Sequence, residues 1–197
     1  MAFVTPQLVF KTYRDSLSLL DVTFKGIYVN MADIKSRTNL LLLQEETLRE
    51  GVELLYFAYR DFTAEPDAIL AEYGFGRAHH RVIHFVGRNP RMTVSELLAI
   101  LKITKQSLSR VLGQLVREGF IVQHEGTEDR RQRLLELTSP GVTLERRLSD
   151  SQKKRFAEAY RNAGAEAVEG YCKVLMGMIS EEDRERVLGR EQTHDSQ

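Results

Sequence analysis

Apolar positions along this chain recur mostly at helical spacing, with one short stretch that alternates. Leu41, Leu48, Val52, Leu55, Tyr56, Tyr59 and Phe62 lie mostly three, four or seven apart, which predicts a helix from Asn39 to about Phe62. Thr38 or Asn39 can cap its start, and Glu45 and Glu46 suit the positive end of its dipole. Glu65-Pro66-Asp67 is expected to break that helix, because the residue before a proline disfavours the α region. A short helix from Pro66 to Tyr73, ending at Gly74, should follow. The next helix, Arg77 to Gly87, carries Ala78, Val82, Phe85 and Val86 on one face and is stopped by the run from Gly87 to Pro90.

The middle of the chain is the most specific. Thr93-Val94-Ser95-Glu96 is a capping box, in which the threonine hydroxyl takes an orphan N–H and the glutamate reaches back to the cap. Val94, Leu97, Leu98 and Leu101 form a short stripe, Lys102-Ile103 turns the chain, and Thr104 caps a second helix with Leu108, Val111, Leu112, Leu115 and Val116 inside. Two short helices joined by a tight turn read as a helix-turn-helix. Gly119 ends the second, and Phe120-Ile121-Val122 opens a strand whose return runs from Arg133 to Thr138, with Leu135 and Leu137 alternating. The charged tip between them, residues 124–132, holds Gly126 for the turn. A helix-turn-helix followed by a basic hairpin is a winged helix.

Thr138-Ser139-Pro140 caps a long helix reaching about Asn162, with Val142, Leu148, Phe156, Ala159 and Ala163 as its expected contacts. Gly164 breaks it, and a last helix gathers Val168, Tyr171, Cys172, Leu175, Met178 and Ile179 on one face. Beyond Ser180 the chain turns charged, and residues 181–197 are expected to fray as a tail. Residues 1–37 show no sustained period and read as an extension, disordered or not native; natural translation is expected to start at Met31.

Composition narrows the class. The chain has 197 residues, 42% hydrophobic, with one cysteine and no tryptophan, enough to bury a core without disulfide staples. No apolar run in the chain, Leu40 to Leu43 included, comes near the ~18 residues a membrane span needs, and no signal-peptide pattern opens the chain. A soluble, cytoplasmic protein with no membrane association is the expectation. Charge is balanced in total at 28 basic and 28 acidic residues, but not in distribution. Arg77 to Arg147 holds 13 basic and 7 acidic residues, leaving that centre at +6 and the flanks together at −6. A basic centre on a neutral scaffold fits a polyanion partner.

The wing carries a string, Asp129-Arg130-Arg131-Gln132-Arg133-Leu134-Leu135-Glu136-Leu137-Thr138-Ser139-Pro140-Gly141, that resembles the D-x-R … L-T-x-x-G signature of the MarR family of bacterial transcriptional regulators. Leu115 to Ile121 resembles that family's L-x-x-x-G-hydrophobic ending to the recognition helix, and the element order agrees from about residue 39 to 180. One departure is Ser-Pro-Gly after Thr138, where the family often has proline directly after the threonine. The resemblance implies a mainly α fold with a small β-hairpin wing: a winged helix-turn-helix plus dimerisation helices. Residues 38–65 would be the N-terminal dimerisation helix, 66–139 the DNA-binding region, and 140–180 the C-terminal dimerisation helices.

It implies also that the second helix of the pair enters the major groove of double-stranded DNA while the wing reaches the minor groove. The residues permit this on their own terms. With the leucine and valine face inside, the outer face must carry Lys105, Gln106, Ser109, Arg110 and Gly113. Arginine can bridge guanine O6/N7, glutamine can bridge adenine N6/N7, and serine is adaptable. Gly113 allows close approach of a phosphate backbone, at a helix-propensity cost of about 1 kcal/mol. Thr104 and Ser107, at the helix start, suit phosphate contacts. Arg131 is the expected minor-groove probe, Arg130 and Arg133 are expected at phosphates, and Asp129 is expected to orient an arginine through a salt bridge. The resemblance further implies a homodimer on a pseudo-palindrome, repression by occlusion of the operator, and a small effector near Tyr56, Tyr59, His80 and His84.

Other chemistries are weaker. His80 and His84 have the i, i+4 spacing of a metal pair, but no third or fourth ligand stands at a compelling spacing, so no metal or cofactor is expected. Cys172, on an apolar helix face, reads as a buried small hydrophobe. No nucleophile–base arrangement or phosphate-binding glycine loop is present, so an enzyme is not expected. A metal- or redox-responsive sensor on the same fold, or a winged helix used for protein–protein contacts, are the alternatives; Lys105, Arg110 and Arg131 argue against the second.

Overall fold

The computed structural model describes residues 44–126 and 129–194. The extension over residues 1–37, the expected start at Met31 and the expected caps Thr38 and Asn39 lie outside them. The chain divides into two units, residues 1–55 and 56–197, with the boundary inside the first described helix. That helix is α1 (Glu45–Ala71), followed by α2 (Arg77–Arg88), β1 (Met92–Thr93), α3 (Val94–Leu101), α4 (Lys105–Arg117), β2 (Ile121–Glu125), β3 (Arg133–Leu137), α5 (Ser139–Ala163), α6 (Ala165–Met178) and α7 (Glu181–His194).

In the second unit the core gathers around α2 and α4. Val82, Ile83 and Val86 of α2 meet Leu108, Val111, Leu112 and Leu115 of α4, Leu97 of α3, Leu135 of β3, and Leu144 and Leu148 of α5. Burying each such side chain fully contributes about 1.5–3 kcal/mol. The sheet is antiparallel in the order β1-β3-β2, with Ile121 opposite Leu137 and Glu125 opposite Arg133. The two-residue β1 pairs Met92 with Leu135 and Thr93 with Leu134. It is too short to leave a period in the sequence.

Pro66 does not end the first helix. α1 runs through it to Ala71, and Pro66 is completely buried. A proline in a helix interior has no N–H for the carbonyl four residues earlier and costs about 3 kcal/mol, and burial of the ring works against that cost. The expected helix over Pro66–Tyr73 is therefore the end of α1.

The tail differs too. Residues 181–194 form α7 rather than fraying, because Ser180 caps it by accepting the Asp183 N–H, and Lys102 donates to both Ser180 Oγ (3.2 Å) and Asp183 Oδ2 (2.8 Å). In α5, Leu148 is buried and Phe156 half-buried as expected, but Val142, Ala159 and Ala163 are exposed. The Thr138 cap and the close packing of Gly141 on Phe120 set the phase of α5, turning Leu144 inward and Val142 outward. Val116 at the end of α4 is likewise exposed. Among the described residues, none of helix α6 is buried, and Cys172 is exposed rather than buried, beside Tyr160 and Tyr171.

Candidate nucleic-acid interface

The helix-turn-helix forms as its caps dictate. Thr93 Oγ1 accepts the Glu96 N–H at 3.1 Å, while Glu96 Oε2 accepts the Thr93 N–H at 2.7 Å, which completes the capping box of α3. The turn closes at Lys102, whose φ of 48° is left-handed, a conformation that costs a non-glycine residue about 1–2 kcal/mol. Thr104 then caps α4, accepting the Ser107 N–H at 3.2 Å and donating to Ser107 Oγ at 2.8 Å. The Thr104 hydroxyl is thus occupied by the cap, and the Ser107 hydroxyl keeps its own proton to donate outward.

On α4 the four buried residues Leu108, Val111, Leu112 and Leu115 leave Lys105, Gln106, Ser109, Arg110 and Gly113 exposed together on the other side. No acidic residue stands in the first turn, so the positive end of the dipole and Lys105 act in the same sense on an anion. Around Gly113 there is open space: a Cβ there would meet nothing within 4 Å.

The wing is a built loop on both described sides of its tip. Gly126 N–H donates to Gln132 O at 3.1 Å, and Gln132 N–H to Asp129 O at 3.0 Å. Gly126 is required there, since a Cβ would stand 2.5 Å from Asp129 O. Asp129 Oδ1 accepts the backbone N–H of Arg131 at 2.9 Å. The aspartate therefore shapes the chain at Arg131 through the main chain; the expected salt bridge to a guanidinium is not formed among the described residues. Arg130 and Arg131 are exposed, whereas Arg133 turns back, donating to Arg130 O at 2.9 Å and pairing with Glu125 at 3.6 Å. Among the described residues, Lys105, Arg110, Arg130 and Arg131 take part in no ion pair. Four cations held out on α4 and the wing are suited to phosphates and base edges.

The residues expected around an effector are only partly brought together. His80 and His84, both half-buried, stack edge to face with centroids 6.5 Å apart, and His84 Nδ1 lies 3.7 Å from Glu145 Oε1. Burial, reinforced by the charge of His84 and opposed by Asp67 and Glu145, pushes His80 below the usual imidazole value. Tyr59 is linked to this side by Arg77, whose guanidinium lies 5.4 Å from its ring and pairs with Asp67 at 2.8 Å. Tyr56 is exposed and packs edge-on against Phe57. Among the described residues, no group of three or more His, Cys, Asp or Glu side chains is placed to hold a metal ion, and no helix is long and apolar enough to cross a membrane.

Sequence reasoning missed Gln114. It lies between the buried and exposed faces of α4, and its partner, His79, is far away in sequence.

Known proteins resemble this chain in sequence and in fold. A family model described as MarR family matches residues 73–132, from the end of α1 to the wing tip. The HTH-type transcriptional regulator PetP of Rhodobacter capsulatus is 50% identical over 140 residues, covering 71% of this chain and 84% of that protein. The HTH-type transcriptional repressor YetL of Bacillus subtilis is 22% identical over 127 residues, covering 61% and 76%. Among solved structures, a MarR family transcription regulator superposes with a TM-score of 0.59 at 20% identity, over 68% of this chain and 88% of its own. A mutant of MarR from E. coli, complexed with operator DNA, superposes with a TM-score of 0.54 at 20% identity, over 70% and 99%.

Proposed function

We infer, from the premise that this chain belongs to the MarR family of transcriptional regulators, that it is a sequence-specific DNA-binding regulator acting as a homodimer on a pseudo-palindromic operator. The observation that carries this reading is the exposed face of Lys105, Gln106, Ser109, Arg110 and Gly113, flanked by the exposed Arg130 and Arg131 of the wing. α4 enters the major groove, where Arg110 and Gln106 read base edges, and Lys105 and Ser107 hold phosphates. Arg131 enters the adjacent minor groove, and Arg130 contacts the backbone. Arg133, tied to Arg130 O and Glu125, supports the wing and contacts a phosphate.

The homodimer is supported by apolar side chains left exposed: Leu48, Val52, Leu54 and Leu55 in the first unit, and Val174 and Met178 of α6 in the second. Surfaces of this kind mark association sites. Repression by occlusion of the operator is the mode of action, relieved by a small effector received near Tyr59, His80 and His84, with Tyr56 at its edge.

Selection of the purified chain on random duplex DNA at near-physiological salt tests this directly. Enrichment of a two-fold-related motif with half-sites about 34 Å, one turn, apart is expected. Weak, salt-sensitive binding with no enriched motif would overturn sequence-specific recognition, and a monomer at micromolar concentration in analytical ultracentrifugation would overturn the dimer.

A further inference from the structure

His79 belongs to the histidine group of α2 but makes contacts the others do not. It is the third residue of the helix, and its Nδ1 accepts the backbone N–H of Gly76 at 3.1 Å. Its ring lies nearly flat on Phe75, with centroids 4.8 Å apart and planes 12° from parallel. Its other nitrogen, Nε2, lies 3.0 Å from Gln114 Oε1 on α4, 35 residues along the chain.

These partners fix the tautomer. A backbone N–H only donates, so Nδ1 is the acceptor nitrogen. The neutral ring then carries its proton on Nε2 and donates it to the Gln114 amide oxygen. The ring is held in plane by Phe75, so the Nε2–H direction is set by contacts that do not involve α4.

Gln114 follows Gly113 and lies four residues, about one turn, after Arg110. The buried residues of α4 are all aliphatic, Leu108, Val111, Leu112 and Leu115. Contacts of that kind fix which face of α4 points inward, but they are non-directional and leave the finer rotation of the helix to a contact with a preferred direction. A hydrogen bond near 3 Å is directional, and this one stands at the edge of the exposed face.

We propose that His79, in its Nε2-protonated tautomer, is a positioning residue for α4, fixing the helix's rotation through Gln114 and thereby aiming Arg110 at the duplex. The proposal rests on the DNA-binding reading above. It predicts an effect on discrimination between sequences rather than on attraction to phosphates, since no charge is removed and Arg130 and Arg131 stand on the wing, away from α4.

The experiment compares the full chain with His79→Ala, Gln114→Met and the double variant on the duplex enriched by selection and on a scrambled duplex. Each single variant should lower the preference for the enriched duplex by about three- to tenfold, the fold-change of one neutral hydrogen bond. Binding to the scrambled duplex at low salt should be unchanged. The double variant should lose no more than either single one, as expected for two residues acting through one bond. Gln114→Met keeps the volume and removes the acceptor, so it decides the matter even where His79→Ala fails to fold. In nitrogen NMR of the wild-type chain, His79 should show a protonated Nε2 and an unprotonated Nδ1, with Nε2 alone shifting in Gln114→Met. Unchanged preference in Gln114→Met, additive losses in the double variant, or a proton on Nδ1 would each overturn the proposal. A wild-type chain that prefers no duplex would instead overturn the DNA-binding reading, while the NMR tautomer would still report whether the His79–Gln114 bridge exists.

Discussion

The carbonyl oxygen of Phe120 lies so close over Gly141 that a Cβ at that glycine would stand 2.1 Å from it. Phe120 opens the wing and Gly141 lies in the first turn of α5, so this contact joins the hairpin to the long helix. Thr138 completes the joint: its N–H donates to Phe120 O (3.1 Å), its Oγ1 donates to Gly119 O (2.6 Å), and the same Oγ1 accepts the Gly141 N–H (3.2 Å). The L-T-x-x-G string read in the sequence is thus a device for turning a strand into a helix, with the glycine required by a neighbouring oxygen.

Gly141→Ala should therefore destabilise the protein by about 2 kcal/mol or more, because overpacking costs about 1–3 kcal/mol even where neighbours can shift and the atom met here is backbone. In an unobstructed helix the same change gains about 1 kcal/mol. Chemical denaturation followed by circular dichroism measures it, and a raised midpoint would contradict the packing described here.

Gly113→Ala should behave in the opposite way. Nothing lies within 4 Å of a Cβ there, so the fold should gain about 0.5–1 kcal/mol from the better helix former. Affinity for the selected duplex should fall if the DNA backbone approaches this position. A variant that is both more stable and equally tight in fluorescence anisotropy titrations would show that DNA does not approach Gly113.

Arg110 and Arg131 should separate by the kind of loss. Arg110→Ala should relax base preference at one position per half-site by about 1–3 kcal/mol. Arg131→Ala should weaken binding across sequences and reduce the slope of log affinity against log salt by about 1 per protomer. Titrations over a salt series on matched and mismatched duplexes report both, and an Arg110→Ala protein with unchanged preference would mean that the outward face of α4 is not the reading face.

Acid should weaken the fold through His80. Burial holds this imidazole below its ordinary value of 6.5, with His84 acting in the same direction and Asp67 and Glu145 against it. The unfolded chain then binds the proton more readily than the folded one, so stability rises with pH in this window. It is fully present above 6.5 and is lost as the pH falls through the lowered folded value. The melting temperature should drop between pH 7.5 and pH 5, and His80→Gln should flatten that dependence. An unchanged slope in the variant would assign the acid sensitivity to other groups.

The sequence by itself determined the helix-turn-helix, the hairpin and the cationic face of α4. Their signals are local: a capping box formed by Thr93 and Glu96, a threonine cap at residue 104, a leucine–valine stripe at helical spacing, and an alternating strand. Each is written within a few residues and is satisfied by hydrogen bonds or burial within the same element or its neighbour. Tertiary structure decided the rest. Pro66 stays helical because the core encloses it, and α7 forms because Lys102, held in a left-handed turn about eighty residues earlier, reaches its first turn. β1 exists because β3 offers it two partners, and Cys172 is exposed because none of α6 is buried among the described residues. His79 meets Gln114 because α2 packs on α4. Contacts between residues distant along the chain leave no period and no spacing in the sequence, so local pattern could not reveal them.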